Sequence, residues 1–258
     1  MTTTLPLRPP RTHRAARLGP IPYSLLAVAA VAALLEQPVV AVIAQGGLLF
    51  WALGQAGSKD SAERSAAYAF TVISLGGLVG LCLPRFLPPF LDHLLVVSLV
   101  ALPLLWLCLT TKTVRQALPL RRPVRADLMW LAGCFVVVSL LLPVLTDDAS
   151  AVRLPPGELA AVTVLVVLVP MLNEALFRGL LMHGTGDGVA GVLLVGLVQA
   201  LAVAPVVGVT GMVVTGAVGV ALGSLRAYTG WWQTALAAHW GLSLALAAPL
   251  LMSPGVGA

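Results

Sequence analysis

Charged residues are scarce in this sequence. Asp, Glu, Lys and Arg make up 10% of its 258 residues, whereas hydrophobic residues make up 59%. A soluble domain has about 25% charged residues, so a water-soluble globule of this composition could not cover its surface with polar groups. Intrinsic disorder is also excluded, because a disordered chain combines low hydrophobicity with high charge. The composition therefore predicts a membrane protein with several spans.

Cysteines are few as well. Cys82, Cys108 and Cys134 stand in apolar stretches without a CxxC spacing, which argues against a disulfide framework or a cysteine metal site. The net charge of +5 comes from basic residues that lie mostly in two clusters beside apolar runs, as the positive-inside rule expects. Membrane lipids are therefore predicted partners, and nucleic acid is not. The clusters are Arg8, Arg11, Arg14 and Arg17, and Lys112, Arg115, Arg121, Arg122 and Arg125.

Long apolar runs follow one another along the chain and predict an all-α, polytopic membrane helix bundle. A helix needs about 20 apolar residues to cross roughly 30 Å of hydrocarbon. The runs cover residues 22–53, 66–84, 93–111, 127–145, 159–183, 189–204, 206–226 and 230–251.

The first run is too long for one upright helix and short for two. Pro38 interrupts it next to Glu36. If 22–53 forms a hairpin, the amino terminus and the basic loop 112–125 share one face of the membrane, and the acidic loop 146–158 lies on the other. The positive-inside rule favours this hairpin, and with it about eight or nine transmembrane segments and a cytoplasmic amino terminus. A single tilted helix or a re-entrant segment remains an alternative.

No internal repeat or low-complexity linker divides the chain. We therefore predict a basic cytoplasmic tail at 1–20, amino-terminal membrane helices at 21–158 and a membrane core at 159–251. The missing repeat also disfavours a transporter built from two related halves.

Four ionisable residues lie within the apolar runs and away from their ends, where each costs several kcal/mol unless it has a function or a partner. They are Glu36, Glu174, Arg178 and His239. Glu174 and Arg178 are four residues apart, so on an α-helix they share a face and can form an ion pair. His239 is followed four residues later by Ser243, and a lone histidine of this kind often serves helix packing. Glu36 is interpreted as part of the hairpin turn. No HExxH spacing occurs, so neither a metal nor another cofactor is predicted.

Two strings of sequence resemble a known family. NEALFRGLL, residues 173–181, resembles the EExxxRG motif of the CAAX protease and bacteriocin-processing family. GVALGSLRAYTGWWQTALAAHWGLS, residues 219–243, is similar to the carboxy-terminal section of that family, where a helix carries HxxxN. Relatives include the type II CAAX prenyl endopeptidases and proteins like lysostaphin resistance protein A. The resemblance covers roughly 159–251, and it implies an intramembrane endopeptidase of the bacterial cytoplasmic membrane.

The resemblance implies that the first Glu of the motif and a histidine activate water while an asparagine holds the oxyanion. This sequence departs from that pattern at three positions: Asn173 replaces the first Glu, Val203 stands at the second-motif histidine, and Ser243 replaces the asparagine. Glu174, Arg178 and His239 remain as candidate catalytic residues, with Asn173 and Ser243 as polar or oxyanion support. To serve as the general base in place of Asn173, Glu174 would have to act from a side-chain direction that differs by about 100° on an α-helix.

Three functions follow from these residues. The first is an endopeptidase that cleaves membrane-associated peptides or proteins, with activity reduced or lost through the three replacements. The second is a catalytically inactive relative that acts as a membrane scaffold or immunity factor. The third is a small transporter. The sequence leaves the substrate and the oligomeric state open.

Overall fold

The computed structural model describes residues 18–82, 87–145 and 154–251, without the side chains of 142–145. Most of the predicted basic tail and of the acidic loop lies outside the described residues. All regular structure in the described ranges is helical. The helices are α1 (Ile21–Leu34), α2 (Pro38–Gln55), α3 (Ser61–Cys82), α4 (Pro89–Thr110), α5 (Lys112–Ala117), α6 (Arg125–Leu145), α7 (Pro156–Asn173), the π-helical segment Glu174–Leu181, α8 (Met182–Thr185), α9 (Val189–Thr229) and α10 (Trp232–Leu251).

The helices form an integral membrane protein, which confirms the predicted all-α polytopic bundle. Six helices of the described residues are long and apolar enough to cross a membrane. They are α2, α3, α4, the continuous helix Pro156–Thr185, α9 and α10. Their outer faces expose large apolar side chains such as Phe50, which is 83% exposed, as expected of a surface solvated by lipid. The total of eight or nine transmembrane segments stays a prediction.

The first apolar run folds back on itself at Glu36. The helices α1 and α2 pack against each other, and Gly47 of α2 lies so close to Leu25 of α1 that a Cβ on it would be 3.6 Å from the Leu25 Cδ2. Glu36 has a φ of 57°, and Pro38 begins α2, because proline lacks an N–H that the first helical turn would leave unpaired. This is the helical hairpin predicted for 22–53.

A second hairpin lies within α9. Its 41 residues would extend for about 62 Å as a straight helix, but Gly208 has a φ of 67° and breaks it. The first limb (189–207) and the second limb (209–229) return antiparallel. A Cβ on Gly196 would lie 2.6 Å from the Val220 Cγ2, so the glycine permits the close approach of the two limbs. Other facing pairs are Gly216 with Ala200, and Gly223 with Val192.

The π-helical segment lies at the centre of the bundle, and all eight of its residues are buried. It contacts α3, α7, α9 and α10. The Ser65 hydroxyl of α3 donates a hydrogen bond of 2.8 Å to the Leu180 carbonyl. Helix α6 lies at the edge of the bundle and packs along α10. A Cβ on Gly241 of α10 would collide with the Leu131 carbonyl of α6, so the glycine permits this close packing. The charged residues of the first motif are thus placed where several helices can supply partners.

Candidate active site

Glu174 begins the π-helical segment, and its carboxylate contacts two other candidate residues. Its Oε1 lies 2.8 Å from the Nδ1 of His239 on α10, which is hydrogen-bond distance. The same Oε1 lies 3.3 Å from the Nη1 of Arg178, four residues later. Glu174 and Arg178 are fully buried, and His239 is 9% exposed. The structure therefore brings the three predicted catalytic residues into one cluster.

On an α-helix Glu174 would point about 100° away from the direction of Asn173, whereas in the structure it lies on a π-helical segment and contacts His239. A π-helix bonds each N–H to the carbonyl five residues back rather than four, so the angle between successive side chains is smaller than in an α-helix. Glu174 faces His239 from this segment. Insertions of this kind are frequent at functional sites.

Arg178 is held by groups from both limbs of α9. Its Nη1 donates a hydrogen bond of 2.6 Å to the Oε1 of Gln199 on the first limb, and its Nη2 donates one of 2.6 Å to the carbonyl of Gly219 on the second. Gly219 has no side chain, and a Cβ there would lie 3.0 Å from the Gln199 Oε1. The glycine thus leaves room for the guanidinium to reach the backbone.

Two anchors fix α10, which carries His239. At the neighbouring position, the Trp240 Nε1–H donates a hydrogen bond of 3.1 Å to the Val167 carbonyl of α7. At the start of α10, the Thr234 hydroxyl donates to the Asp127 Oδ1 at 2.9 Å. The imidazole is therefore fixed relative to α7, the helix that leads into Glu174.

The second anchor belongs to a cluster of its own. Arg121 binds both carboxylate oxygens of Asp127, at 2.7 and 2.8 Å, and also donates to the Thr234 hydroxyl at 2.8 Å. The backbone N–H of Val124 donates to the Asp127 Oδ2 at 2.9 Å. The guanidinium carbon of Arg121 lies 5.2 Å from the centroid of the Trp231 ring. This cluster, called the Asp127 cluster below, binds the loop before α6 to the start of α10.

Glu174, Arg178 and His239, called the Glu174 cluster below, do not use all of their hydrogen-bonding capacity. Within the described part of the chain, the Glu174 Oε2 and the Arg178 Nε are buried without a hydrogen-bond partner. Both contacts of the carboxylate are made through Oε1, and His239 makes its one hydrogen bond to the described residues through Nδ1. One oxygen and one ring nitrogen are therefore available for an added donor or proton.

Asn173 and Ser243 are half-buried, and neither side chain forms a hydrogen bond to the described residues. The structure therefore does not join them to the Glu174 cluster, and their support of an oxyanion stays a prediction. Val203, at the position of the second-motif histidine, is also half-buried. The residue of that run that enters the cluster is Gln199, one helical turn earlier.

Sequence reasoning missed Gln199 and the Gly219 carbonyl as site components. Gln199 was recognisable as the one polar side chain in the run VLLVGLVQALAVAP, but the family pattern pointed to Val203, four residues later, as the position of interest. A backbone carbonyl has no signal in the sequence. Among the described residues, no three His, Cys, Asp or Glu side chains converge to hold a metal ion.

The fold and the cluster define an integral membrane protein with a buried carboxylate–histidine pair and an arginine beside it. Residues 155–245 match the model of a protein family described as Type II CAAX prenyl endopeptidase Rce1-like. This match includes every side chain of the Glu174 cluster and confirms the CAAX protease resemblance for that part of the chain. No curated protein and no solved structure matched.

Proposed function

We propose that the protein is an intramembrane endopeptidase whose active centre is the Glu174–His239 pair. The observation that carries the proposal is the 2.8 Å contact between the Glu174 Oε1 and the His239 Nδ1 in the interior of a membrane protein. A carboxylate that accepts a hydrogen bond from one ring nitrogen fixes the tautomer of the imidazole and leaves the other nitrogen to take up a proton. The same arrangement orients the general base of other hydrolases.

The proposed reaction uses His239 as the general base, because it is partly exposed whereas Glu174 is completely buried. The Nε2 of His239 takes a proton from water as the water oxygen attacks the peptide carbonyl carbon. The resulting oxyanion accepts hydrogen bonds from the Ser243 hydroxyl or the Asn173 amide. When the carbon–nitrogen bond breaks, Nε2 returns the proton to the leaving amine. General acid–base catalysis of this kind contributes about 10²–10⁴-fold.

Arg178 has a positioning role in this proposal. Its guanidinium supplies the charge opposite to the Glu174 carboxylate, at 3.3 Å. Gln199 and the Gly219 carbonyl hold the guanidinium in place, so the carboxylate keeps a fixed position behind the imidazole. A base must be held close to the productive geometry to be effective.

The substrate class that fits the site is a membrane-associated peptide or protein. The Glu174 cluster lies near the basic loop between α4 and α6, because a Cβ on Gly179 of the π-helical segment would collide with Leu118 of that loop. Under the positive-inside rule this end of the bundle faces the cytoplasm. The proposal therefore includes cleavage at the cytoplasmic side and a cytoplasmic amino terminus. Its placement in the cytoplasmic membrane of a bacterium comes from the family resemblance.

A second candidate function is a binding protein that has lost catalysis. Three replacements favour it. The family pattern has a glutamate, a histidine and an asparagine at the positions that Asn173, Val203 and Ser243 occupy in this sequence. In that case the Glu174 cluster holds helices together, and the protein acts as a scaffold or immunity factor by binding.

The test compares protein amino-terminal fragments by mass spectrometry in a wild-type strain, a deletion strain, and deletion strains carrying variants. We expect fragments that disappear on deletion and in the Glu174→Gln and His239→Asn strains. Glu174→Gln should reduce cleavage by about 10⁴-fold, as removal of a carboxylate behind a catalytic histidine does elsewhere.

The matched control is Asp127→Asn, the same carboxylate-to-amide change in a cluster away from the proposed reaction, where the amide oxygen can still accept the hydrogen bond from Thr234 that anchors α10. It should retain the fragments, provided that membrane extracts show wild-type amounts of each variant. If no fragment depends on the protein while Glu174→Gln still restores a deletion phenotype, the endopeptidase proposal is wrong and the binding function replaces it.

A further inference from the structure

A groove of about 630 Å³ lies between α6, α10 and the second limb of α9. Its walls carry no charged side chain and no hydroxyl or amide group. The lining residues are Ala126, Met129, Trp130, Gly133, Cys134, Val137 and Val138 of α6, Val218, Ala221 and Leu222 of α9, and Ala238 and Leu242 of α10. Trp130 and Val137 are also among the large apolar side chains exposed on the outside of the bundle, so the groove opens towards lipid.

The groove has the length of one leaflet. Along α6 its lining runs from Ala126 to Val138, and the twelve steps between these residues rise about 18 Å. Half of the hydrocarbon thickness of a bilayer is about 15 Å. A hydrocarbon chain that starts at the level of Ala126 would therefore end near the bilayer midplane.

The mouth of the groove is basic. Arg125 lies one helical turn before Met129, so it shares the face of α6 that lines the groove, and Arg122 lies in the preceding loop. Both side chains are exposed. The acidic residue nearest to them in the sequence, Asp127, is buried and has both carboxylate oxygens bound by Arg121. Two arginines thus remain to attract an anion at the membrane surface.

We propose that this groove binds one acyl chain of an anionic phospholipid, with the phosphate at Arg122 and Arg125. An apolar groove open to hydrocarbon is filled by chains rather than by water, because its almost entirely apolar walls offer water too few hydrogen-bond partners. The basic mouth selects an anionic headgroup. The site is separate from the Glu174 cluster and does not depend on peptide cleavage, although Ala238 and Leu242 stand on either side of His239 in the sequence of α10.

The test counts phospholipids bound to the purified full-length protein by native mass spectrometry, in titrations with phosphatidylglycerol and with phosphatidylcholine. A Cβ on Gly133 would have no atom within 4 Å, so Gly133→Leu should fill the groove without a clash. We expect it to weaken phosphatidylglycerol binding by about tenfold. Arg125→Gln should reduce the preference for phosphatidylglycerol by about fivefold.

The matched control is Gly46→Leu, a change at an equally open glycine on α2, away from the groove. It should bind phosphatidylglycerol as the wild type does. Ala126→Leu is a second groove-filling variant, to be used if Gly133→Leu fails to fold. Equal retention of phosphatidylglycerol in the wild type and in a folded groove-filled variant would overturn the proposal. It would also be overturned if a farnesylated peptide, but not phosphatidylglycerol, bound the wild type and was lost from that variant.

Discussion

Two buried carboxylates contact α10, and they differ in how completely their oxygens are bound. Both oxygens of Asp127 accept hydrogen bonds, from Arg121, from Thr234 and from the backbone of the preceding loop. Glu174 lies deeper, with no exposed surface, yet both of its contacts converge on Oε1 and its Oε2 has no partner among the described residues.

This difference agrees with the roles proposed for the two carboxylates, structural for Asp127 and catalytic for Glu174. A buried acceptor without a partner costs about 1–3 kcal/mol, and the Glu174 Oε2 carries this cost. The Asp127 cluster can accept no further donor, and it joins a loop, α6 and α10. The Glu174 cluster retains an unused oxygen and the second ring nitrogen of His239, which proton transfer requires.

The largest effect should come from removing the arginine of each cluster. Arg178→Leu leaves a buried carboxylate, the Gln199 amide oxygen and the Gly219 carbonyl without their donor. We expect it to lower the free energy of unfolding by about 3–5 kcal/mol, the usual cost of breaking a buried ion pair. Arg121→Leu, at a position nearer to solvent, should cost about 1–2 kcal/mol. Thermal unfolding of the purified variants in one detergent measures both changes, and equal losses would contradict the difference in burial.

A smaller effect is expected from the two buried glutamines. Gln199→Leu removes the acceptor of the 2.6 Å bond from Arg178, so we expect a loss of about 1–3 kcal/mol together with slower cleavage. Gln45→Leu on α2 is the matched control, because Gln45 is equally buried and its Oε1 is already without a partner. The control should unfold within about 1 kcal/mol of the wild type and keep its cleavage rate.

Cleavage separates the two roles that Gln199 could have. If Gln199→Leu and Gln45→Leu changed stability and cleavage alike, Gln199 would be a packing residue rather than a support of Arg178. Gln199→Glu adds a further check, because it restores an acceptor for the guanidinium and should recover part of the cleavage rate.

The smallest effect should follow from adding one methyl group at the seam of α9, where its two limbs pack against each other. In Gly219→Ala the new Cβ would lie 3.0 Å from the Gln199 Oε1 and 3.5 Å from the Arg178 Nη2. The amide must then shift by a few tenths of an ångström. We expect about a tenfold loss of cleavage, because small misplacements at a site are costly to the rate, with about 1 kcal/mol of lost stability.

Gly216→Ala is the control for that change. Its Cβ would meet the Ala200 Cβ at 3.2 Å, on the same seam but away from the guanidinium. Cleavage assays and unfolding of both variants give the comparison. A rate loss in Gly216→Ala as large as that in Gly219→Ala would mean that the limbs, not the guanidinium, respond to the added volume.

Much of the fold could be predicted because hydrocarbon permits few structures. Apolar runs of sufficient length must become helices, since lipid offers no partner for backbone polar groups. The turn at Glu36 was indicated by a polar residue beside Pro38. The apolar runs 189–204 and 206–226 were divided at residue 205, but Pro205 stays within the first limb and the chain turns three residues later. Membrane helices tolerate proline, and Gly208 adopts the positive φ that the turn requires.

The candidate site was predicted in its residues and not in its geometry. Ionisable side chains within apolar runs stand out by their cost, so Glu174, Arg178 and His239 could be selected from the sequence. Their contacts could not, because the direction of Glu174 depends on a π-helical segment that a regular helical period does not reveal. The contact of Gln199 with Arg178 could be recognised only in the tertiary structure, because the turn of α9 at Gly208 brings both limbs of that helix to the guanidinium.

The π-helical segment also makes the length of this stretch matter. Its eight residues, Glu174–Leu181, bond as an α-helix into which one residue has been inserted. Deleting a single residue between Glu174 and Arg178 would let the helix return to α-helical bonding at little cost to the helix itself. The residues of the segment would take α-helical directions, however, and Glu174 would no longer face His239 as it does from the π-helical segment. The chain should therefore accept changes of apolar side chain here more readily than any change in the number of residues.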